Sequence, residues 1–94
     1  MTLEAKIERK LTEWCGDHGI LARKYETPGR RGAPDHIYFY EGKVALIEFK
    51  QPGKFPEELQ QIELDELRLH MIPVNWFDDV EIAKQWLIKV FKIK

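Results

Sequence analysis

The chain has 94 residues, a formal net charge of −1 and 44% hydrophobic residues, with three Trp and five Phe among them. That is the length of one small domain with enough apolar mass for a core, and the charge excludes a globally basic nucleic-acid binder. A single cysteine, Cys15, excludes an internal disulfide and a Cys/His metal cluster. No apolar run is long enough for a signal peptide or a membrane span, so the cytoplasm is the expected compartment.

Thr2 to about Asp17 reads as a helix, with Thr2 as cap and Leu3, Ile7, Leu11, Trp14 and Cys15 at helical spacing. Cys15 falls on the apolar side and is expected in the core. Glu4 and Glu8 lie one turn apart at the edge of that stripe. Either they are solvated beside Arg9 and Lys10, or one of them faces acids further along the chain. Ile20 to Glu26 alternates weakly and stops before Pro28, as a strand would. It carries Arg23 and Lys24, and Arg30 and Arg31 follow between Gly29 and Gly32. This is the one concentrated basic segment, read as a flexible loop. Such runs are usually solvated; beside acids, this one suits phosphate contacts that position a nucleic acid without reading its sequence.

Gly32 to Lys50 reads as a β-hairpin, with runs from His36 to Tyr40 and from Val44 to Phe49 around a Glu41-Gly42 turn. A two-residue loop pairs Tyr40 with Lys43, and counting back sets His36 opposite Ile47 and Asp35 opposite Glu48; a four-residue loop keeps this register and a three-residue loop breaks it. Facing like charges destabilise a sheet unless something lies between them, and hard divalent cations take carboxylate oxygens. Lys50 points to the same face as Glu48. That face continues with Ile37, Phe39, Val44 and Leu46, which sets the acids at the rim of an apolar surface. His36 then points away from them, and none of His18, His36 and His70 is assigned to chemistry.

Gln51 to Phe55 is a loop that offers Lys54 to a phosphate. Pro56 suits the first position of a second helix running to about His70, with Glu57 and Glu58 in its first turn. Leu64, Leu67 and Met71 share one stripe, and Gln60, near the start, needs a hydrogen-bond partner; Gln61 is the neighbouring alternative. Ile72 to Phe77 is a short strand whose Pro73 suits a sheet edge. Asp78 or Asp79 caps a last helix from Val80 to about Phe91. Its main stripe is Val80, Ala83, Leu87, Val90 and Phe91. A second stripe, Ile82, Trp86 and Ile93, implies deep burial or a partner surface. The order of elements predicts an α+β or α/β fold around a mixed sheet.

Gly32-Ala33-Pro34-Asp35 followed by Ile47-Glu48-Phe49-Lys50 resembles the PD-(D/E)XK nuclease motif. The longer run from Thr27 to Asp35, the Glu48-Phe49-Lys50-Gln51-Pro52-Gly53 block and Gln60 are similar to the virus-type replication-repair nuclease (VRR-NUC) domain over nearly the whole chain. The resemblance implies a restriction-endonuclease-like αβββαβα architecture and metal-dependent hydrolysis of DNA. In it Asp35, Glu48 and the Phe49 carbonyl would hold Mg²⁺ or Mn²⁺. Glu8, preferred over Glu4, would help as the first-helix acid. Lys50 would be the catalytic lysine and Gln60 its neighbour, with no organic cofactor. Stand-alone relatives of this kind look like junction-resolving enzymes, which implies branched DNA and a homodimer with two sites. The competing readings are a non-catalytic DNA-binding module with the same fold, and an RNA nuclease.

Overall fold

The computed structural model describes all 94 residues, in the order α1 (Leu3–Asp17), β1 (Leu21–Lys24), β2 (His36–Tyr40), β3 (Lys43–Phe49), α2 (Glu58–Leu69), β4 (Val74–Phe77) and α3 (Val80–Phe91). The four strands form one sheet in chain order. β1, β2 and β3 are antiparallel, and β4 joins β3 in parallel, so the sheet is mixed. The parallel pairing follows from the connection: α2 carries the chain back across the sheet before β4 begins. Pro73 stands just before β4, an edge strand, where its missing N–H costs nothing, and its carbonyl accepts the Leu46 N–H at 2.9 Å.

The hairpin register is the expected one, from Tyr40 opposite Lys43 to His36 opposite Ile47. The turn is two residues long, with both Glu41 (φ 47°) and Gly42 (φ 80°) left-handed, as a tight hairpin turn demands. The ladder ends at His36–Ile47, so Asp35 and Glu48 lie one step beyond the last paired residues. Asp35 is nevertheless held, because its carbonyl accepts the Tyr25 N–H at 2.8 Å from the end of β1.

The main core lies on the sheet face opposite to the one the sequence pattern favours. Tyr38, Ala45, Ile47, Phe49 and Phe77 pack there against Leu11 and Cys15 of α1 and Ala83, Leu87 and Phe91 of α3. Ile37, Phe39 and Leu46, on the other face, are only half-buried, and Val44 is 39% exposed. Two helices cover the first face and only α2, through β4, reaches the second, so both faces carry apolar residues and alternation alone does not rank them. The second stripe of α3 is largely spent inside the fold. The Trp86 ring meets Phe77 at 5.5 Å and Ile93 packs on the core, which leaves Ile82 exposed.

Helix ends follow local chemistry. Thr2 caps α1 by accepting the Ala5 N–H at 3.0 Å, and Asp79, not Asp78, caps α3 through the Ile82 N–H at 3.1 Å. α2 begins later than expected. Glu57 is its N-cap, so Pro56 precedes the helix and does not open it. Asp78 has another task, accepting the Gly53 N–H at 3.1 Å and so pinning the loop after β3.

Candidate active site

The N-terminal half of α1, the start of β2 and the end of β3 meet at one end of the sheet. Between them lies an open cavity of about 190 Å³ lined by Thr2, Glu4, Ala5, Glu8, Lys24, Asp35, His36, Glu48 and Phe49. Four carboxylates thus share one space, from three elements far apart in the chain. Glu4 and Glu8 are both present, one helical turn apart on the same side of α1.

Electrostatics in the cavity are dominated by Glu48. Burial pushes its carboxyl up to about 7; Lys50 opposes the shift, while the charges of Asp35 and Glu4 add to it. A carboxyl held this way loses more by leaving water than the neighbouring lysine returns. Lys24 Nζ is the one cation at the rim, 4.0 Å from Asp35 Oδ2.

His36 is the residue that sequence reasoning missed. Its ring is only 12% exposed and sits between two of the acids. Nε2 is 2.9 Å from Glu8 Oε1 and Nδ1 is 2.8 Å from Asp35 Oδ1, while the ring edge meets Phe49 at 4.9 Å. Neither nitrogen is aimed well enough to complete a hydrogen bond, so both are close polar contacts without a donor geometry. His36 does face away from Glu48 along the strand. It does not face away from Glu8, because α1 packs on the His36 side of the sheet. Asp35, lying before the first ladder pair, is free of strand alternation and turns to the same ring. The available signal was the pair of facts that His36 shares the α1 face with Tyr38 and that Glu8 lies on α1.

The remaining expected residues are distributed around this centre. Lys50 lines a second cavity of about 310 Å³ with Glu4, Gln51, Lys54, Phe55 and Glu57, and Glu4 is common to both spaces. Gln60 lines neither; its Oε1 accepts the Glu57 N–H at 2.9 Å and serves the start of α2. Gln61 is also engaged elsewhere, donating to Asp65 at 2.9 Å. Arg23 and Lys24 border a third space with Glu8, Thr12 and His36. Arg30 is not free: its Nε donates to Glu63 Oε1 at 2.7 Å. The loop that carries it is docked and not loose, because Gly32, at φ +84°, passes so close to α2 that an added Cβ would stand 2.8 Å from the Leu59 carbonyl. Arg31 stays exposed beside it.

The donor chemistry of the central cavity suits a hard divalent cation, since carboxylate oxygens are its preferred ligands and Lys50 does not offset the burial of Glu48. As the side chains stand, no three of them surround a common point. The His36 ring lies against Glu8 Oε1 and Asp35 Oδ1, while Asp35 Oδ2 faces Lys24 Nζ at 4.0 Å.

No family model matches the chain. A solved structure described as a VRR_NUC domain superposes on it with a TM-score of 0.84, over 95% of this chain and 97% of that one, at 25% sequence identity. A curated protein, "Putative nuclease p44" of Acyrthosiphon pisum secondary endosymbiont phage 1, is 38% identical over 58 residues, 61% of this chain. That match spans 62% of the relative's own length.

Proposed function

Because this chain is a VRR-NUC domain of the PD-(D/E)XK nuclease superfamily, we propose that it is a metal-dependent endonuclease hydrolysing DNA phosphodiester bonds. The observation that carries the reading is the convergence of Glu8, Asp35 and Glu48 on one open cavity, with Glu48 raised by its surroundings.

In this reading Asp35, Glu48 and the Phe49 carbonyl would hold Mg²⁺ or Mn²⁺, with Glu8 helping from α1. A divalent ion held by these residues would supply Lewis-acid activation of a phosphoryl oxygen and of water. Lys50, whose charge already acts on Glu48, orients that water or offsets the charge that develops on the phosphate. Gln60 acts through the start of α2, where its Oε1 accepts the Glu57 N–H. Lys24, Arg23, Arg31 and Lys54 meet phosphates along the grooves on either side.

The preferred substrate is branched DNA such as a four-way junction, cut by a homodimer. One chain offers one such cavity, a junction must be cut on two strands, and a two-fold dimer is the commonest way to supply a second site. α3 offers little for that contact, but α2 exposes Leu59, Ile62 and Leu69. A chain encoded by a phage, as the relative is, would act in the host-cell cytoplasm; none of the helices is long and apolar enough to cross a membrane. Incubation with linear, flap and four-way DNA, with Mn²⁺ or EDTA, together with light scattering, tests the reading. Metal-dependent cutting is expected, fastest on the junction; no cutting of any substrate would remove the catalytic reading and favour a binding module.

A further inference from the structure

The loop between β3 and α2 carries the most exposed aromatic side chain of the protein. Phe55 is 75% exposed. A single exposed aromatic is ordinary; its setting is not. The chain that bears it is fastened at successive points. The Lys50 N–H donates to the Phe77 carbonyl at 2.9 Å, the Gly53 N–H to Asp78 Oδ2 at 3.1 Å, and the Lys54 N–H to the Gln51 carbonyl at 2.9 Å. One side of the Phe55 ring is braced edge-on by Trp76, with centroids 5.7 Å apart and planes at 67°. The ring is therefore held outward on a fixed frame.

It is held over a cavity of about 310 Å³ whose cations are Lys50 and Lys54. Of the two acids in the same wall, Glu57 caps α2 and Glu4 borders the candidate active site. An aromatic face next to paired lysines is the combination that binds unpaired nucleotides, the base stacking on the ring and the phosphate meeting the ammonium groups. The neighbouring groove with Arg23 and Lys24, which shares Glu8, Lys24 and His36 with the active-site cavity, has cations and no exposed aromatic ring among its lining residues. The two flanks are thus chemically different.

We propose that Phe55 and Lys54 form a nucleotide platform that takes an unpaired base of the substrate on the Phe55 ring and the adjoining phosphate on Lys54, beside the candidate active site. This rests on the reading that the chain acts on nucleic acid. It deepens that reading by giving the substrate a direction: duplex on the Arg23–Lys24 flank and unpaired strand on the Phe55 flank. The base is recognised by its π-face, so the platform has no strong sequence preference.

The test is fluorescence anisotropy in EDTA with a labelled single-stranded oligonucleotide, a flapped duplex and a blunt duplex, on the wild type and on Phe55→Ala, Phe55→Trp and Lys54→Ala. Phe55→Ala should weaken single-strand and flap binding about tenfold relative to blunt duplex. Phe55→Trp should restore it, and Lys54→Ala should lower the salt slope for single strands by about one. Equal loss on all three substrates, or no loss, overturns the platform. The nuclease reading is checked separately by wild-type cutting of a four-way junction with Mn²⁺. Cutting with no Phe55 effect removes the platform alone; a wild type that neither binds nor cuts removes both.

Discussion

Arg30 and Glu63 form a pair that closes the basic loop onto α2, with Arg30 Nε 2.7 Å from Glu63 Oε1 and the Glu63 residue only 9% exposed. Glu63 is the only charged residue the fold buries. Two adjacent arginines that look equivalent in the sequence therefore have different work. Arg30→Ala leaves a nearly buried carboxylate without its donor, which costs about 1–3 kcal/mol of stability. Arg31→Ala should leave the melting temperature unchanged and weaken DNA binding, with a shallower salt dependence. Thermal melts and binding titrations on both variants separate the roles; equal stability loss from both would contradict the assignment.

Glu48 sets a pH dependence. Its folded pKa is raised to about 7 from an ordinary 4.5, so the fold favours the protonated form. The stability that this contributes is fully present below the ordinary value and is lost as pH rises through about 7. In EDTA the melting temperature should therefore fall across that window, and Glu48→Gln should flatten the fall and be more stable than the wild type at pH 8. With Mn²⁺ present, affinity should rise over the same window, because binding requires the carboxylate. A Glu48→Gln variant with the wild-type pH profile would show that Glu48 titrates normally.

His36 lies between Glu8 and Asp35, with its ring nitrogens 2.9 and 2.8 Å from their oxygens. His36→Ala should leave the two acids facing each other with no group between them, and should alter Mn²⁺ affinity measured by calorimetry. His36→Gln keeps polar atoms on the ring's position and should recover part of the change. Identical Mn²⁺ affinity in the wild type and both variants would mean that the ring only fills space against Phe49.

The hairpin turn offers a test away from the site. Glu41 sits at φ 47°, where most residues pay about 1 kcal/mol that Gly avoids for lack of a β-carbon and Asn offsets through local hydrogen bonds of its short side chain. Glu41→Asn creates the favoured Asn-Gly turn and should raise the unfolding midpoint without changing the denaturant slope. A lower midpoint would mean that Glu41 makes a contact that offsets its strain.

Most of the scaffold was legible because it is written locally. Thr2 and the Leu11–Cys15 stripe specify α1, Asp79 starts α3 at Val80, and the Glu41-Gly42 spacing sets the register from Tyr40–Lys43 to His36–Ile47. What was not legible depends on which helix covers which face. Alternation defines two sheet faces, but both are apolar here, so it could not say that α1 and α3 take the Tyr38 side. That choice brings Glu8 down on His36, and with it the acids into contact with a ring that local reasoning turned away. The docking of Arg30 on Glu63 and of Gly32 on Leu59 is likewise a contact across about thirty residues of chain, which spacing alone does not reveal. Gln60 shows the reverse case: a local capping role, three residues from Glu57, takes the amide oxygen expected near Lys50.

The central claim is that the carboxylate cavity is a metal-dependent hydrolytic centre, and cleavage of a labelled four-way junction by matched wild-type, Asp35→Asn, Glu48→Gln and Lys50→Ala proteins tests it most directly. With Mn²⁺ the wild type should cut, and EDTA should stop it. Asp35→Asn and Glu48→Gln should lose cutting and Mn²⁺ binding while remaining folded. Lys50→Ala should lose cutting but keep metal and most DNA affinity, since its contribution is made in the transition state. Full cleavage by Asp35→Asn or Glu48→Gln, or wild-type cleavage undiminished in EDTA, would contradict the account.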